Sequence, residues 1–257
     1  MDVRSHNRDA WDRNVDEGNR WTQAVNSEVI SKARHGTFEI LLTPQKPVPM
    51  EWFPQLGGMP TLCLASAGGQ QAPILAAAGA AVTVVDNSPK QLEQDRFVAQ
   101  RDGLEINTVE GDMADLSRFP DNTFGLVFHP CSNCYVPDVI AVWQECHRVL
   151  RPGGVLLTGF VNPVRYLFDD ERKENGNLQL RYRLPYSDLE HLDDSHVQKI
   201  VNSGRALEFG HTLQDQIGGQ LNAGFMLTGL FEDEYKESDD DPVSRYMSTF
   251  IATRAVR

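Results

Sequence analysis

The sequence predicts an α/β protein built on a doubly wound, mostly parallel sheet, and three observations carry that prediction. Apolar runs of strand length alternate with helical stretches over residues 61–161, the pattern of successive β-α-β units. The first unit, TLCLASAGGQQAPILAAAGAAVTVVDNS, reads strand, turn of small residues, helix, strand, acid. The run 124–128, FGLVF, carries no charge, as a strand buried on both faces requires.

Residues 1–60 read as a helical leader and connector. Trp21, Val25 and Val29 recur at helical spacing, and Gly36 follows Lys32, Arg34 and His35 as a helix stop does, so a helix is expected to end near His35. The stretch LLTPQKPVPMEWFPQLGGMP follows, and its prolines forbid regular structure. Its Trp52 and Phe53 need cover. Either the leader packs on the outside of the core domain or it folds over a ligand as a lid.

The core domain is expected over 61–257. Its first strand is 61–65, its turn is Ser66 to Gly69, and its first helix is 70–78 with Pro73 tolerated in the first turn. The second strand, 81–85, ends at Asp86. A turn of Ala65, Ser66, Ala67, Gly68 and Gly69 leads into a helix N-terminus with free N–H groups, and an acid at the next strand end can accept both hydroxyls of a ribose. That pair predicts a nucleoside. Ser88, Pro89 and Gln91 start a helix running to about Asp102, where Gly103 stops it. A third strand, 105–109, is followed by Gly111 and Asp112. After the fourth strand comes a loop from His129 to Tyr135, then a helix over 139–150 whose apolar stripe includes Val142, Trp143 and Cys146. RPGG turns the chain into a fifth strand, 155–161.

Periodicity fails over 162–207, which reads as an insertion over the carboxyl edge of the sheet or as a surface excursion. Thr212 caps a last helix that Gly224 ends. Two closing strands, 225–231 and 247–256, flank an acidic loop and can pair antiparallel, which makes seven strands with the last one antiparallel.

Composition bounds the function. Net charge is −12, which repels a phosphate backbone and argues against nucleic acid as a partner. No apolar run reaches membrane-spanning length, and the polar start MDVRSHNRDAWDRN predicts a cytoplasmic chain with no membrane partner and its four cysteines as thiols. Cys131 and Cys134 form a C-x-x-C without a second pair at zinc spacing, so no metal is expected. Nothing in the sequence reports oligomeric state.

Four local signals, LCLASAGG, VVDNSPKQL, EGDMADL and CHRVLRPGGVLL, together resemble the class I S-adenosylmethionine-dependent methyltransferases, specifically the broad small-molecule group, from about residue 61 to the end. The resemblance implies a Rossmann-like fold, S-adenosylmethionine as cofactor with S-adenosylhomocysteine as product, and direct in-line transfer of a methyl group to a small-molecule acceptor. It implies that the turn 65–69 holds the methionine part, that Asp86 with Asn87 takes the ribose, and that Gly111, Asp112 and Met113 meet the adenine. It also places His129 against the cofactor. The chain departs from the family's G-x-G-x-G turn at Ala65 and Ala67, has Cys63 where an acid is usual, and Gly125 where an aspartate is frequent. A nicotinamide-dinucleotide enzyme is the competing reading within the fold, but its fingerprint would put Gln70 where the third glycine packs closely. A non-catalytic binder of the nucleoside is the third reading. His211 and Tyr135 are the candidate catalytic residues, His211 as a general base by the ordinary pKa of imidazole. Arg181 and Arg183 could recognise an acidic substrate.

Overall fold

The computed structural model describes residues 1–169, 177–236 and 241–257, so most of the charged run 169–176 and part of the acidic loop before Pro242 lie outside the described residues. Its centre is a seven-stranded sheet. In chain order the strands are β1 (Pro60–Leu64), β2 (Ala81–Asp86), β3 (Ile106–Glu110), β4 (Phe124–His129) and β5 (Leu150–Val161), with β8 (Met226–Asp233) and β9 (Phe250–Val256) closing it. The spatial order is β3-β2-β1-β4-β5-β9-β8. The first five strands pair parallel, and β9 runs antiparallel between β5 and β8. Strand order reverses between β1 and β4, the switch point where open α/β sheets bind ligands.

The helices of the β-α-β units form for the reasons their sequences carry. In α4 (Pro89–Asp102) the Ser88 hydroxyl accepts the Gln91 N–H, Pro89 sits at the first position, and Gly103 closes the helix at φ +62°. In α5 (Val139–Val149) Asp138 caps two N–H groups, and the stripe Val142, Trp143, Cys146 is fully buried against the sheet. Helix α3 (Gln71–Ala77) packs on the opposite face, its Leu75 in one apolar cluster with Val84 and Phe128.

The leader differs from its expected form. A first helix, α1 (Val3–Asp16), is capped by Asp2, and the next, α2 (Ser27–Arg34), starts only after Asn26. Trp21 and Val25 are not helical: Trp21 lies in a 3-10 turn, Arg20–Thr22, whose start is capped by the Asn19 side chain. The two asparagines offer the backbone local side-chain bonds that interrupt a continuous helix. The connector is core rather than covering. Leu42 and Val48 are buried in the cluster under α3, Trp52 meets Phe231 with ring centroids 5.2 Å apart, and Phe53 stacks on Phe128 at 6.4 Å.

The insertion carries more structure than its lack of period suggested. A two-stranded ribbon pairs β6 (Tyr186–Ser187) with β7 (Phe209–Gly210), enclosing two helices, α6 (Asp188–His191) and α7 (Asp194–Ser203). The last helix is split into a π turn, Gln214–Gly218, and α8 (Gly219–Ala223). A Cβ at Gly219 would come within 2.7 Å of Trp143, which is why α5 and this helix meet at glycine.

Candidate functional site

Strand ends deliver the site. Ala65 follows β1, Asp86 ends β2, Gly111 follows β3, Pro130 follows β4, Val161 ends β5 and Phe250 begins β9, and all of them border one cavity of about 560 Å³. That volume lies within the range of small-molecule sites. The cavity therefore runs across the carboxyl edge from the β3 side to the β9 side.

At the β2–β3 side two acids face the space. Asp86 receives the N–H of Ser88 at 2.9 Å and that of Ala67 at 3.3 Å, which fixes its carboxylate below the turn. Burial pushes its pKa up to about 6, against the lowering effect of those N–H groups. Asp112 accepts the Ala114 N–H at 2.9 Å and turns its other oxygen toward Arg4 at 3.9 Å. Asn87, Gly111 and Met113 line the same part. The Ser66 hydroxyl and Gln91 Oε1 are buried on this wall without hydrogen-bond partners, and so is the Thr43 hydroxyl farther along it. Buried polar atoms seldom stay unpaired in a folded chain, so this wall fits a polar ligand.

The turn is divided in its duties. Ala65, Ser66 and Ala67 face the cavity, and Ala65 adopts φ +45°, the left-handed conformation for which glycine is usual. Gly68 and Gly69 do not line it. A Cβ on Gly68 would meet the Trp21 carbonyl at 2.9 Å, and one on Gly69 would meet Ala24 at 2.9 Å, so these glycines admit the leader against the back of the turn. Gly69 donates its N–H to the fully buried Asp95. Gln70, the residue that spoils a dinucleotide fingerprint, ties the leader there by donating to the carbonyls of Arg20 and Gln23. A Cβ on Gly125 would meet the Met59 sulfur and the Arg151 guanidinium, flexible side-chain ends rather than backbone.

Two expected histidines are elsewhere. His129 is wholly buried, bonded through Nδ1 to the Leu64 carbonyl at 2.8 Å, with its ring edge-on to Trp143; burial lowers its pKa to about 4. It is not on the cavity wall, because the end of β4 turns its side chain into the α5 layer. His211 is also buried, bonded to the Asn133 carbonyl at 3.1 Å, and lines no part of the cavity. Tyr135 does line it, and burial holds its phenol protonated. Cys131 and Cys134 are free thiols on the wall, both pushed up by burial. Among the described residues no group of three His, Cys, Asp or Glu could hold a metal ion. Arg181 pairs with Asp169, and neither it nor Arg183 reaches the cavity.

Residues not singled out in the sequence complete the walls. Helix α1 lies across the opening: Arg4 and Asn87 exchange hydrogen bonds of 3.1 and 2.8 Å, and the Ser88 hydroxyl donates to Asp12. On the other side the buried Asn7 side chain donates to the carbonyls of Tyr135 and Leu207 and accepts the Leu207 N–H, while Trp11 packs edge-on to Tyr135 at 5.3 Å. At the β5–β9 side the wall carries Arg165, Glu208, Tyr235 and Phe250. A polar helix with a weak apolar stripe gives no sequence signal for such a role, and Arg165 sits in the stretch where periodicity failed, with Glu208 just after its end.

Comparison with known proteins adds to this geometry. The sequence profile of the family described as "Methyltransferase domain" matches residues 62–158. A protein of Bacillus subtilis named "Uncharacterized methyltransferase YbaJ" is 50% identical over 253 residues, 98% of each chain. The sterol 24-C-methyltransferase erg6 of Aspergillus fumigatus is 36% identical over 90 residues, 34% of this chain and 24% of that one. Among solved structures, an S-adenosylmethionine-dependent methyltransferase from Mesorhizobium loti superposes with a TM-score of 0.61 at 17% identity, covering 80% of this chain and 94% of that one.

Proposed function

This chain belongs to the class I S-adenosylmethionine-dependent methyltransferases, and from that premise we propose how its cavity holds the cofactor and that it methylates a small molecule. The observation that carries the reading is the pair of acids, Asp86 and Asp112, at successive strand ends of one cavity whose wall holds unpaired buried polar atoms.

When bound, S-adenosylmethionine supplies an activated methyl group and leaves as S-adenosylhomocysteine. Asp86 accepts the ribose hydroxyls, and its two backbone donors keep the carboxylate aimed. Asn87 sits beside it, Asp112 accepts from the adenine amino group, and Gly111 and Met113 border the ring. The turn at Ala65, Ser66 and Ala67 lies along the methionine part, where the free Ser66 hydroxyl finds a partner. Helix α1 excludes water from above, and Tyr135 orients the acceptor as a neutral phenol. With positioning of this kind worth about 7–11 kcal/mol, transfer asks little further chemistry of the protein. A small acceptor is supported by the cover that α1 makes and by the net charge of −12, which disfavours a nucleic acid. No helix among the described residues is long and apolar enough to cross a membrane.

Calorimetric titration with S-adenosylmethionine, S-adenosylhomocysteine and NAD tests the site. The two sulfur nucleosides are expected to bind and NAD not to, and Asp86→Ala is expected to cost about 1.5–3 kcal/mol per charged hydrogen bond lost. Equal affinity in the variant would take Asp86 out of the site, and binding of NAD alone would overturn the assignment.

A further inference from the structure

We propose that the methyl acceptor is a small monocarboxylate whose anionic end is held by Arg165. The inference rests on the methyltransferase reading of the same cavity. Arg165 lies in the 3-10 turn Pro163–Leu167 that follows β5, and it lines the cavity at the side away from Asp86 and Asp112. Its Nε stands 3.2 Å from Asp241 Oδ2, yet the alignment makes no hydrogen bond, and that buried nitrogen has no hydrogen-bond partner. Its terminal nitrogens likewise donate to no other described residue. The N–H donors of its two terminal nitrogens are thus without a partner among the described residues, on a residue that lines the cavity.

The aromatic rings beside it fix the plane. The guanidinium carbon lies 5.5 Å from the centre of Tyr235 and 5.3 Å from that of Phe250, so the fork is held rigid while its edge stays available. A planar fork of paired N–H groups matches the two oxygens of a carboxylate. Charge decides the class of anion. Asp241 already sits beside Arg165, and Glu208 lines the same side, where its Oε2 accepts the Tyr166 hydroxyl at 2.9 Å. The other cationic side chain on the wall, Arg4, is engaged with Asn87 and Asp112 at the opposite side. With one guanidinium among two carboxylates the site repels a dianionic phosphate more strongly than a monoanion, whose smaller cost the unpartnered terminal N–H groups offset. The second oxygen of Glu208 has no described partner and offers acceptance to a hydroxyl or amine on the same molecule.

The test uses benzoate as the minimal aromatic monocarboxylate, with benzamide and inorganic phosphate beside it, titrated by calorimetry and by the Arg Nε–H NMR signals into protein saturated with S-adenosylhomocysteine. Benzoate is expected to bind the wild type and shift the Arg165 signal, to weaken at least tenfold in Arg165→Gln, and to recover in part in Arg165→Lys. Benzamide is expected to bind weakly and equally to all three proteins. S-adenosylhomocysteine affinity is expected to be unchanged by either substitution. Benzoate that does not bind, that binds Arg165→Gln equally, or that phosphate displaces would overturn the proposal. Should Arg165→Gln fail to fold, the Arg165→Lys comparison and the wild-type NMR shift decide. Failure of S-adenosylhomocysteine itself to bind would instead strike the reading of the cofactor side, and benzoate titrated into the unloaded protein would still decide the role of Arg165.

Discussion

In the site proposed above, Asp86 would hold its carboxylate in a setting that makes cofactor binding depend on pH. Burial raises its pKa to about 6, Asp12 on α1 adds to the rise, and the N–H groups of Ser88, Ala67 and Asn87 oppose it; Asp95 on α4 is the further buried acid coupled to it. Ribose hydroxyls donate to the ionised form, so binding draws the pKa down and releases a proton. The sign follows: affinity is full above about pH 6 and falls as pH drops through that value. Calorimetry of S-adenosylhomocysteine at pH 6 in buffers of different ionisation enthalpy is expected to register proton release in the wild type and none in Asp86→Asn. The same residue scale explains an unusual turn. Ala65 sits at φ +45° where a glycine would be unstrained, a cost of about 1–2 kcal/mol that the surrounding β1 and β2 ends sustain.

At the scale of elements the leader divides into two parts with different work. Helix α1 is joined to the core by polar contacts, Arg4 to Asn87 and Lys90 to Asp16 at its rim and the buried Asn7 to the 135 and 207 backbone. Helix α2 and the connector are core, with Ile30 and Leu42 each 1% exposed. Deleting residues 1–18 is therefore expected to leave a folded protein, seen as a cooperative melt lowered by a few degrees, with weakened S-adenosylhomocysteine binding. Deleting 1–50 is expected to abolish the melt, because losing even one buried aliphatic side chain of this kind costs about 2–5 kcal/mol. A short deletion that binds as tightly as the full chain would show α1 to be ornament.

For the whole molecule, the connector and the sheet behave as one packed unit. A Cβ on Gly159 in β5 would lie 2.2 Å from the Leu42 carbonyl, and the Cys131 N–H donates to that same carbonyl at 3.0 Å. Backbone cannot yield there as a flexible side chain would, so Gly159→Ala is expected to destabilise by about 1–3 kcal/mol or more. Urea unfolding is expected to show a lower midpoint at unchanged slope, and an unaltered midpoint would mean that the connector can lift off β5 freely.

Much of this protein was readable in its residues. Periodicity, caps and glycine stops placed β1 to β5, α4 and α5 within about a residue, apart from an early start of β5 at Leu150, since those signals are local. The acids at strand ends were legible for the same reason: Asp86 ends β2 and Asp112 comes two residues after β3. Side-chain direction was not. His129 could face the cavity or α5, and only the packing of Trp143 decided for the interior. Gly68 and Gly69 looked like room for a ligand but are room for Trp21 and Ala24, a contact across more than forty residues that no local pattern contains. Arg165 and Glu208 are likewise joined across the cavity wall by tertiary structure alone. Sequence by itself determined the sheet, the acids at its strand ends and the family, because those rest on short-range order. The cover by α1 and the charged side of the cavity at Arg165 and Glu208 were decided by tertiary structure, because they arise where distant segments converge on one sheet edge.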